Sequence, residues 1–372
     1  MTGTFSKDTF YFKDLTITEA VNKASLPPKE SLSFGATFSN HMLEVKWSAA
    51  TGWGAPKIVP IHPFELHPGA KVLHYASECF EGAKAYKGPD GKPRVFRLDK
   101  NMQRLKNSVC ALGLPDFDEN EARKCIEELV KLEQDFIPEG NGYSLYLRPT
   151  VIGSEANVNT TASSEAIFYV VCCPCGPYFS SKFEAVRLYA DTKHVRAWPG
   201  GTGGSKLGSN YAGGVVPTKL ANQKGYQQIL WLIGDDHQVS EAGTMNIFIL
   251  WVNEQGELEL ITPELDGTIL PGITRDSIIT IAKGWGEFKV TEGRITMDQI
   301  LKAEKENRLR EVFGAGTACV VCPVKQIGFM DSVIDIPLEP GSEFGPVTQR
   351  IFDEVTSIQY GKKQHIWSTA LE

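Results

Sequence analysis

Nowhere does the 372-residue chain carry an apolar run as long as the roughly 18 residues a membrane-spanning helix needs, so membrane insertion is not expected. Positive charge is in short supply. With 38 Lys and Arg against 45 Asp and Glu the formal net charge is -7, which argues against nucleic acid or an anionic membrane as the main partner, since both ask for a basic face. Cysteine is sparse: the eight residues at 79, 110, 125, 172, 173, 175, 319 and 322 lie in apolar segments, as reduced thiols do, and no disulfide framework is expected. The crowded Cys172-Cys173-Pro174-Cys175 matches no zinc spacing and has no histidines in register, so no metal is expected either. Acidic Asp8, Asp14, Glu19 and Glu30 interrupt the first 30 residues, unlike a signal or transit peptide. A cytoplasmic location follows as the expectation, or a mitochondrial one if a presequence was removed ahead of this numbering.

What the chain does have is apolar residues, 42% of the total, and a length that suits about two domains with small-molecule ligands. Its most unusual stretch is residues 200–217, Gly-Gly-Thr-Gly-Gly-Ser-Lys-Leu-Gly-Ser-Asn-Tyr-Ala-Gly-Gly-Val-Val-Pro, where Lys206 stands among seven glycines. Such a run is either a flexible surface loop or a backbone freed to approach a ligand. Asn210, Tyr211 and the flanking Trp198 and Val215-Val216 favour a loop built into a core. A P-loop would need Gly-Lys-Ser/Thr, whereas Ser205 precedes and Leu207 follows Lys206, so Schiff-base chemistry is the use to test for this lysine.

In chain order, residues 1–30 read as a polar surface arm, His41 to Trp47 as a strand, and residues 72–86 as a dense aromatic stretch around Glu81-Gly82 that either lines a pocket or fills a core. Residues 95–98 read as a strand with Arg97 at its end, residues 101–112 as a helix, and a second helix starts at Asp118, where Glu121 completes a capping-box-like pattern. Ser144 to Arg148 alternates, and residues 166–173 form a continuous apolar strand. A domain of residues 1–176, a linker of residues 177–189 and a domain of residues 190–372 are the expected divisions. Past the lysine, residues 215–224 read as a helix and residues 228–233 and 247–252 as strands with Glu241 between them; a carboxylate there requires a cationic partner or a protonated ring nitrogen. Leu270-Pro271-Gly272-Ile273-Thr274 opens a helix whose first amides can hold an anion, and Gly314-Ala-Gly-Thr317-Ala318 offers a second loosened set. A Schiff-base lysine, a phosphate cradle and a carboxylate for a pyridinium are what pyridoxal phosphate requires.

The runs Lys206-Leu-Gly-Ser-Asn-Tyr211, Ser240-Glu-Ala-Gly-Thr-Met-Asn246, Leu270-Pro-Gly-Ile-Thr-Arg275 and Gly314-Ala-Gly-Thr-Ala-Cys-Val-Val-Cys322 closely resemble those of the branched-chain amino-acid aminotransferases, fold-type IV pyridoxal-phosphate enzymes, and the eukaryotic type in particular. The likeness runs from about Phe34 to about Pro337; Ser209, Ala315 and Glu78-Cys79 depart from the usual residues. It implies an α/β (α+β) fold of two domains, the N-terminal one smaller, and reversible transamination of leucine, isoleucine and valine with 2-oxoglutarate by a ping-pong mechanism in a homodimer. D-amino-acid transaminases and aminodeoxychorismate lyase share only part of the pattern.

Carried over by position, the resemblance makes Lys206 the Schiff-base lysine, Tyr211 the hydrogen-bond donor to the cofactor's phenolic oxygen and Glu241 the partner of its pyridine nitrogen. Arg97, the amides of Ile273 and Thr274, and Thr317 would hold the phosphate. Thr244 and the Ala318 amide would receive the substrate α-carboxylate; Phe38, Tyr75, Phe80 and Tyr146 would wall the side-chain pocket, with Arg148 at its edge for the distal carboxylate of glutamate. Cys319 and Cys322 are either a redox pair acting on the Thr317-Ala318 loop or two buried thiols.

Overall fold

The computed structural model describes residues 9–177 and 184–372. The chain divides into two compact units, and their boundaries differ from a single cut: residues 1–178, 205–208 and 357–372 form the first, residues 179–204 and 209–356 the second. Much of the expected linker, residues 178–183, lies outside the described residues, and its end is regular structure, since Val186–Asp191 is a strand. The last residues return to the first unit because Arg97 donates its N–H to the Trp367 carbonyl (2.8 Å), Arg94 pairs with Ala370 and the Tyr360 hydroxyl donates to the Tyr143 carbonyl (2.8 Å).

Among the described residues the first unit is a nine-stranded sheet, ordered Thr16–Ile17, Lys57–Pro60, His41–Ser48, Glu165–Cys175, Ser144–Gly153, Ala83–Lys87, Pro93–Val95, with Gly52–Trp53 and Glu78–Phe80 as side additions. The Leu98–Ala111 and Glu119–Leu132 helices bury Met102, Leu105, Val109, Cys125, Ile126 and Leu129 in the same core as Val151, Phe168 and Val170 of the sheet. Asp118 caps the second of these, accepting the Asn120 and Glu121 N–H groups. The capping box is not completed: Glu121 turns away to accept the Phe12 N–H (2.7 Å). That bond ties down a stretch read as a surface arm, and Phe10 beside it is buried against Trp53, Phe117 and Phe168.

In the second unit the strands Gln238–Ala242, Gln228–Ile233, Val186–Asp191, Val320–Phe329, Leu309–Gly316 and Met245–Val252 pair in that order, and the first also pairs with the last, closing a six-strand ring. Leu258–Thr262 and Lys289–Glu292 extend it beyond Met245–Val252. Parallel and antiparallel pairings mix around the ring, and Val186, Leu188, Leu230, Val239, Ile247, Val312 and Val324 share its core cluster. Glu241, expected between strands, lies inside one, one step from the Gly243-Thr244 turn. The fold is the expected α/β (α+β) arrangement of two units, but the N-terminal unit is not the smaller one, because it also takes residues 205–208 and 357–372.

Candidate active site

Lys206 is held by its neighbour. Leu207 is buried in the core of the first unit, where it bridges to Cys79, and this is why four residues of a glycine-rich run belong there. The Lys206 N–H donates to Ser108 Oγ (2.9 Å) and its carbonyl accepts the Phe80 N–H (3.1 Å), so the lysine leaves a backbone fixed on both sides. Its Nζ lies 4.9 Å from the centre of the Phe80 ring. Glycine is required before the lysine, where a Cβ on Gly203 would fall 2.5 Å from the Thr268 carbonyl oxygen, while one on Gly208 would fall 1.5 Å from Glu78 Oε1 and displace that side chain. The run is a set of close approaches, not a linker.

Phe80 shares a sheet face with Tyr146 and Arg148. The Arg148 guanidinium sits 4.6 Å from the Phe80 ring centre and 5.2 Å from that of Tyr146, and it donates to the Tyr146 hydroxyl (3.0 Å). Its Nε is buried without a hydrogen-bond partner, an unspent donor of the kind an anion satisfies. Behind them Glu81, wholly buried, is held by Arg104 (2.7 and 2.8 Å) and Asn101 (2.7 Å), an ion pair that fixes the turn after Phe80 and that sequence reading passed over. Tyr75 and Phe38 stay near half exposed, at 44% and 45%, with the Tyr75 hydroxyl donating to the Val158 carbonyl.

Arg97 was expected at a strand end and instead occupies the residue before the Leu98–Ala111 helix, in the left-handed region at φ 50°. Its guanidinium packs 4.6 Å from the Trp367 ring, and the residue is almost fully buried. A buried cation on a strained backbone at a helix start is suited to a fixed anion.

In the second unit Glu241 is 3% exposed. Its Oε2 meets Arg196 Nε at 2.8 Å, and its Oε1 accepts the Leu270 N–H at 2.8 Å and the Asn246 amide at 3.4 Å. Arg196 is the cationic partner this carboxylate required, a residue the sequence reading did not assign. Arg196 in turn donates to the Thr268 and Gly203 carbonyls (3.1 and 3.5 Å). Asn246 also donates to the Leu270 carbonyl (2.9 Å), and Gly272 leaves room for it: a Cβ there would fall 1.9 Å from Asn246 Oδ1.

The Ile273–Trp285 helix then begins with no side-chain cap, so the amides of Ile273 and Thr274 have no side-chain acceptor from the cap residue. Thr317 and Ala318 sit in the turn between Leu309–Gly316 and Val320–Phe329, and Thr244 is exposed at its own turn. Val320 holds φ at 64° with the Val321 N–H donating to the Cys319 carbonyl (2.9 Å), a costly conformation for a β-branched residue directly after this loop. Cys319 Sγ contacts Met245 Sδ (3.3 Å), and burial together with Cys319 pushes the Cys322 thiol well up. Tyr211 lies in the short Ser209–Ala212 helix of the second unit, not with Lys206 in the first.

Taken unit by unit, the donors fit a phosphorylated pyridine aldehyde. The first unit supplies a held primary amine and a buried arginine. The second supplies a carboxylate fixed from two sides, uncapped helix amides and a hydroxyl. No helix of the described residues is long and apolar enough to cross a membrane.

The class IV amino-transferase family model matches residues 78–327. The chain is 50% identical over 357 residues to the branched-chain-amino-acid aminotransferase of Monosiga brevicollis, covering 96% of this chain and 91% of that protein. It is 48% identical over 366 residues to the cytosolic branched-chain-amino-acid aminotransferase of Mus musculus, covering 98% and 94%. Relatives named as mitochondrial match as well. The branched-chain aminotransferase of the thermophilic archaeon Thermoproteus uzoniensis, solved with norvaline, superposes with a TM-score of 0.70 at 26% identity, covering 88% of this chain and 99% of that one. With a family model matched over residues 78–327 and relatives 50% and 48% identical over nearly all of its length, the chain belongs to the class IV aminotransferase family.

Proposed function

We propose that the protein transfers amino groups reversibly between leucine, isoleucine or valine and 2-oxoglutarate, with pyridoxal phosphate as cofactor, yielding branched 2-oxo acids and glutamate. The observation that carries it is the Phe80, Tyr146 and Arg148 face beside Lys206: an aromatic surface for an aliphatic side chain, with one half-satisfied guanidinium for a distal carboxylate. Full-length identity near 50% to enzymes named for these substrates supports the same reading.

When bound, the cofactor supplies an acceptor for the electron pair left at the substrate Cα. The chain supplies the rest. Lys206 Nζ is the amine that anchors the cofactor and, once freed, the base that carries a proton to and from Cα. Glu241, fixed by Arg196 and the Leu270 amide, keeps the ring nitrogen protonated, and Tyr211 donates to the phenolic oxygen. Arg97, Thr317 and the amides of Ile273 and Thr274 hold the phosphate so that the ring stays put while its substituents change. Thr244 and the Ala318 amide receive the α-carboxylate, and Phe38 and Tyr75 complete the apolar wall. One set of residues serves both half-reactions, which makes the kinetics ping-pong.

The working unit is a homodimer on this reading. Tyr75 and Phe38 are exposed in the single chain, as are Leu73 and Val158 near Tyr75, apolar side chains of the kind a partner covers. A cytosolic or mitochondrial address accords with the relatives of both kinds. The test is a transamination assay of the purified protein with 2-oxoglutarate and a panel of amino acids: activity confined to leucine, isoleucine, valine and glutamate is expected, and activity with D-alanine but not leucine overturns the assignment. Light scattering gives the assembly, a fully active monomer near 41 kDa being the result that removes the dimer.

A further inference from the structure

Beside the residues assigned above stands a carboxylate with no role in them. Glu78 opens the short Glu78–Phe80 strand, which runs antiparallel to Ser144–Gly153 with Phe80 opposite Thr150 and Glu78 opposite Ile152. Side chains two apart along a strand share a face, so Glu78 and Phe80 lie on the face that carries Tyr146, Arg148 and Thr150. Thr150 pairs in turn with Tyr169, which extends this face. The Glu78 carboxylate is packed against the lysine loop: the Gly208 N–H donates to the Glu78 carbonyl (3.4 Å), and the clash a Gly208 Cβ would make is with Glu78 Oε1 itself. The Glu78 carboxyl thus lies directly against Gly208, two residues after Lys206.

Glu78 and Arg148 act on each other. Partial burial raises the Glu78 carboxyl above the usual carboxylate range, and the Arg148 charge opposes that rise. Both also act on the Tyr169 hydroxyl, Glu78 raising and Arg148 lowering it. Among the described residues no other cation acts on Glu78 comparably.

We propose that Glu78 is a specificity-determining residue: its negative charge offsets that of Arg148 on the shared face and so sets how well the enzyme accepts a dicarboxylic 2-oxo acid relative to a branched aliphatic one. The proposal rests on the substrates assigned above. An aliphatic side chain is indifferent to the pair, whereas a distal carboxylate meets Arg148 with Glu78 in competition. Charge at Glu78 thus lowers acceptance of 2-oxoglutarate without altering the apolar wall.

The groups facing Glu78 are Arg148 from Ser144–Gly153, Tyr169 from Glu165–Cys175, Cys79 from its own strand and the loop that carries Lys206. Burial pushes the Tyr169 hydroxyl and the Cys79 thiol upward, so both stay neutral below about pH 8.5. Titrations common to the two oxo acids cancel in a ratio. The decisive measurement is the ratio of kcat/KM for 2-oxoglutarate to kcat/KM for 4-methyl-2-oxopentanoate, with isoleucine as the common donor, on the holoenzyme from about pH 6 to 8.5. Both oxo acids are fully ionised there.

Glu78→Gln, which keeps the shape, raises the ratio at about pH 8 by about tenfold. In an Arg148→Met background Glu78→Gln raises the ratio by less, because the offset of the Arg148 charge is gone and only the direct repulsion of the substrate carboxylate is relieved. A Glu78→Gln enzyme with the wild-type ratio at that pH, or an equal response in the Arg148→Met background, overturns the proposal. If the wild type accepts neither oxo acid, the substrate assignment falls first and this proposal with it.

Discussion

Arg196 Nε stands 2.8 Å from Glu241 Oε2, and both side chains are nearly sealed from solvent, at 6% and 3%. The two residues are far apart in sequence and come together because Gln228–Ile233 lies between Gln238–Ala242, which carries Glu241, and Val186–Asp191, which Arg196 follows, with Arg196 anchored to the Thr268 and Gly203 carbonyls. Glu241 is thereby a fixed charge with one oxygen held by a cation and the other by the Leu270 amide. The proposed function asks for this arrangement, a carboxylate held ionised beside a ring nitrogen that keeps its proton.

Breaking that pair from either side has different consequences. Arg196→Met leaves a buried carboxylate without its cation and is expected to cost about 3 to 5 kcal/mol, read as a large fall in the urea midpoint. Glu241→Gln keeps the shape and leaves the fold largely intact, but lowers kcat by about two orders of magnitude or more, since an amide cannot hold the ring nitrogen protonated. Near-wild-type turnover in Glu241→Gln removes Glu241 from the site.

Lys206 and Leu207 separate chemistry from placement. Lys206→Ala abolishes turnover and the visible absorbance of the bound cofactor, while phosphate contacts still permit weak binding. Leu207→Ala removes a fully buried side chain, with an expected loss of about 2 to 5 kcal/mol in stability, and lowers kcat as well because the lysine backbone loses its anchor. A Leu207→Ala enzyme with unchanged stability and kcat contradicts the anchoring role.

The pieces of the candidate site that stand out in the sequence are those whose chemistry is local. Lys206 stood out by its glycines, Glu241 by the implausibility of a bare carboxylate between apolar strands, and Ile273-Thr274 by the Pro-Gly that opens their helix. What stayed hidden depends on distant partners. Nothing near Arg196 announces Glu241, and nothing in Ser-Lys-Leu-Gly shows that Leu207 belongs to the core beside Cys79 while Tyr211, a few residues after Lys206, belongs to the other unit. Arg97 was misplaced because Val-Phe-Arg-Leu has strand composition, yet the strand stops at Val95 and Arg97 takes a left-handed turn into a helix. Phe10 was missed because one aromatic in a polar stretch carries no periodicity.

Alkaline pH should destabilise the fold in a predictable window. Burial pushes the thiols of Cys125 and Cys173 up to about 12, those of Cys79, Cys172 and Cys322 well upward, and the Tyr360 hydroxyl to about 12. These groups stay protonated when folded and release protons near about pH 8.5 to 10 when unfolded, so the native state binds more protons and stability falls as pH rises. Each group that is neutral only in the fold contributes a slope of about 1.4 kcal/mol per pH unit above its unfolded value. The Tm is expected to be level from about pH 7 to 8 and to drop steadily above about pH 9; a level Tm to about pH 10.5 contradicts the burial of these groups.

The same burial bears on whether Cys319 and Cys322 form a working redox pair. The two thiols are 5% and 1% exposed, Cys319 is turned onto Met245, and the nucleophilic thiolate of Cys322 is suppressed by burial and by its neighbour. Oxidation needs a thiolate and access, and Cys110 is the only cysteine of the eight that is exposed. Alkylation of the native protein at about pH 7.5 is therefore expected to label Cys110 first and to leave Cys319 and Cys322 unmodified until denaturant is added. Peroxide at the same pH should inactivate slowly and equally in wild type and in the Cys319→Ala, Cys322→Ala double variant. The opposite result, loss of activity that a thiol reductant restores and that Cys319→Ala resists, would mean that the strained turn at Val320 opens often enough to bring the pair together and pull on the Thr317 and Ala318 loop.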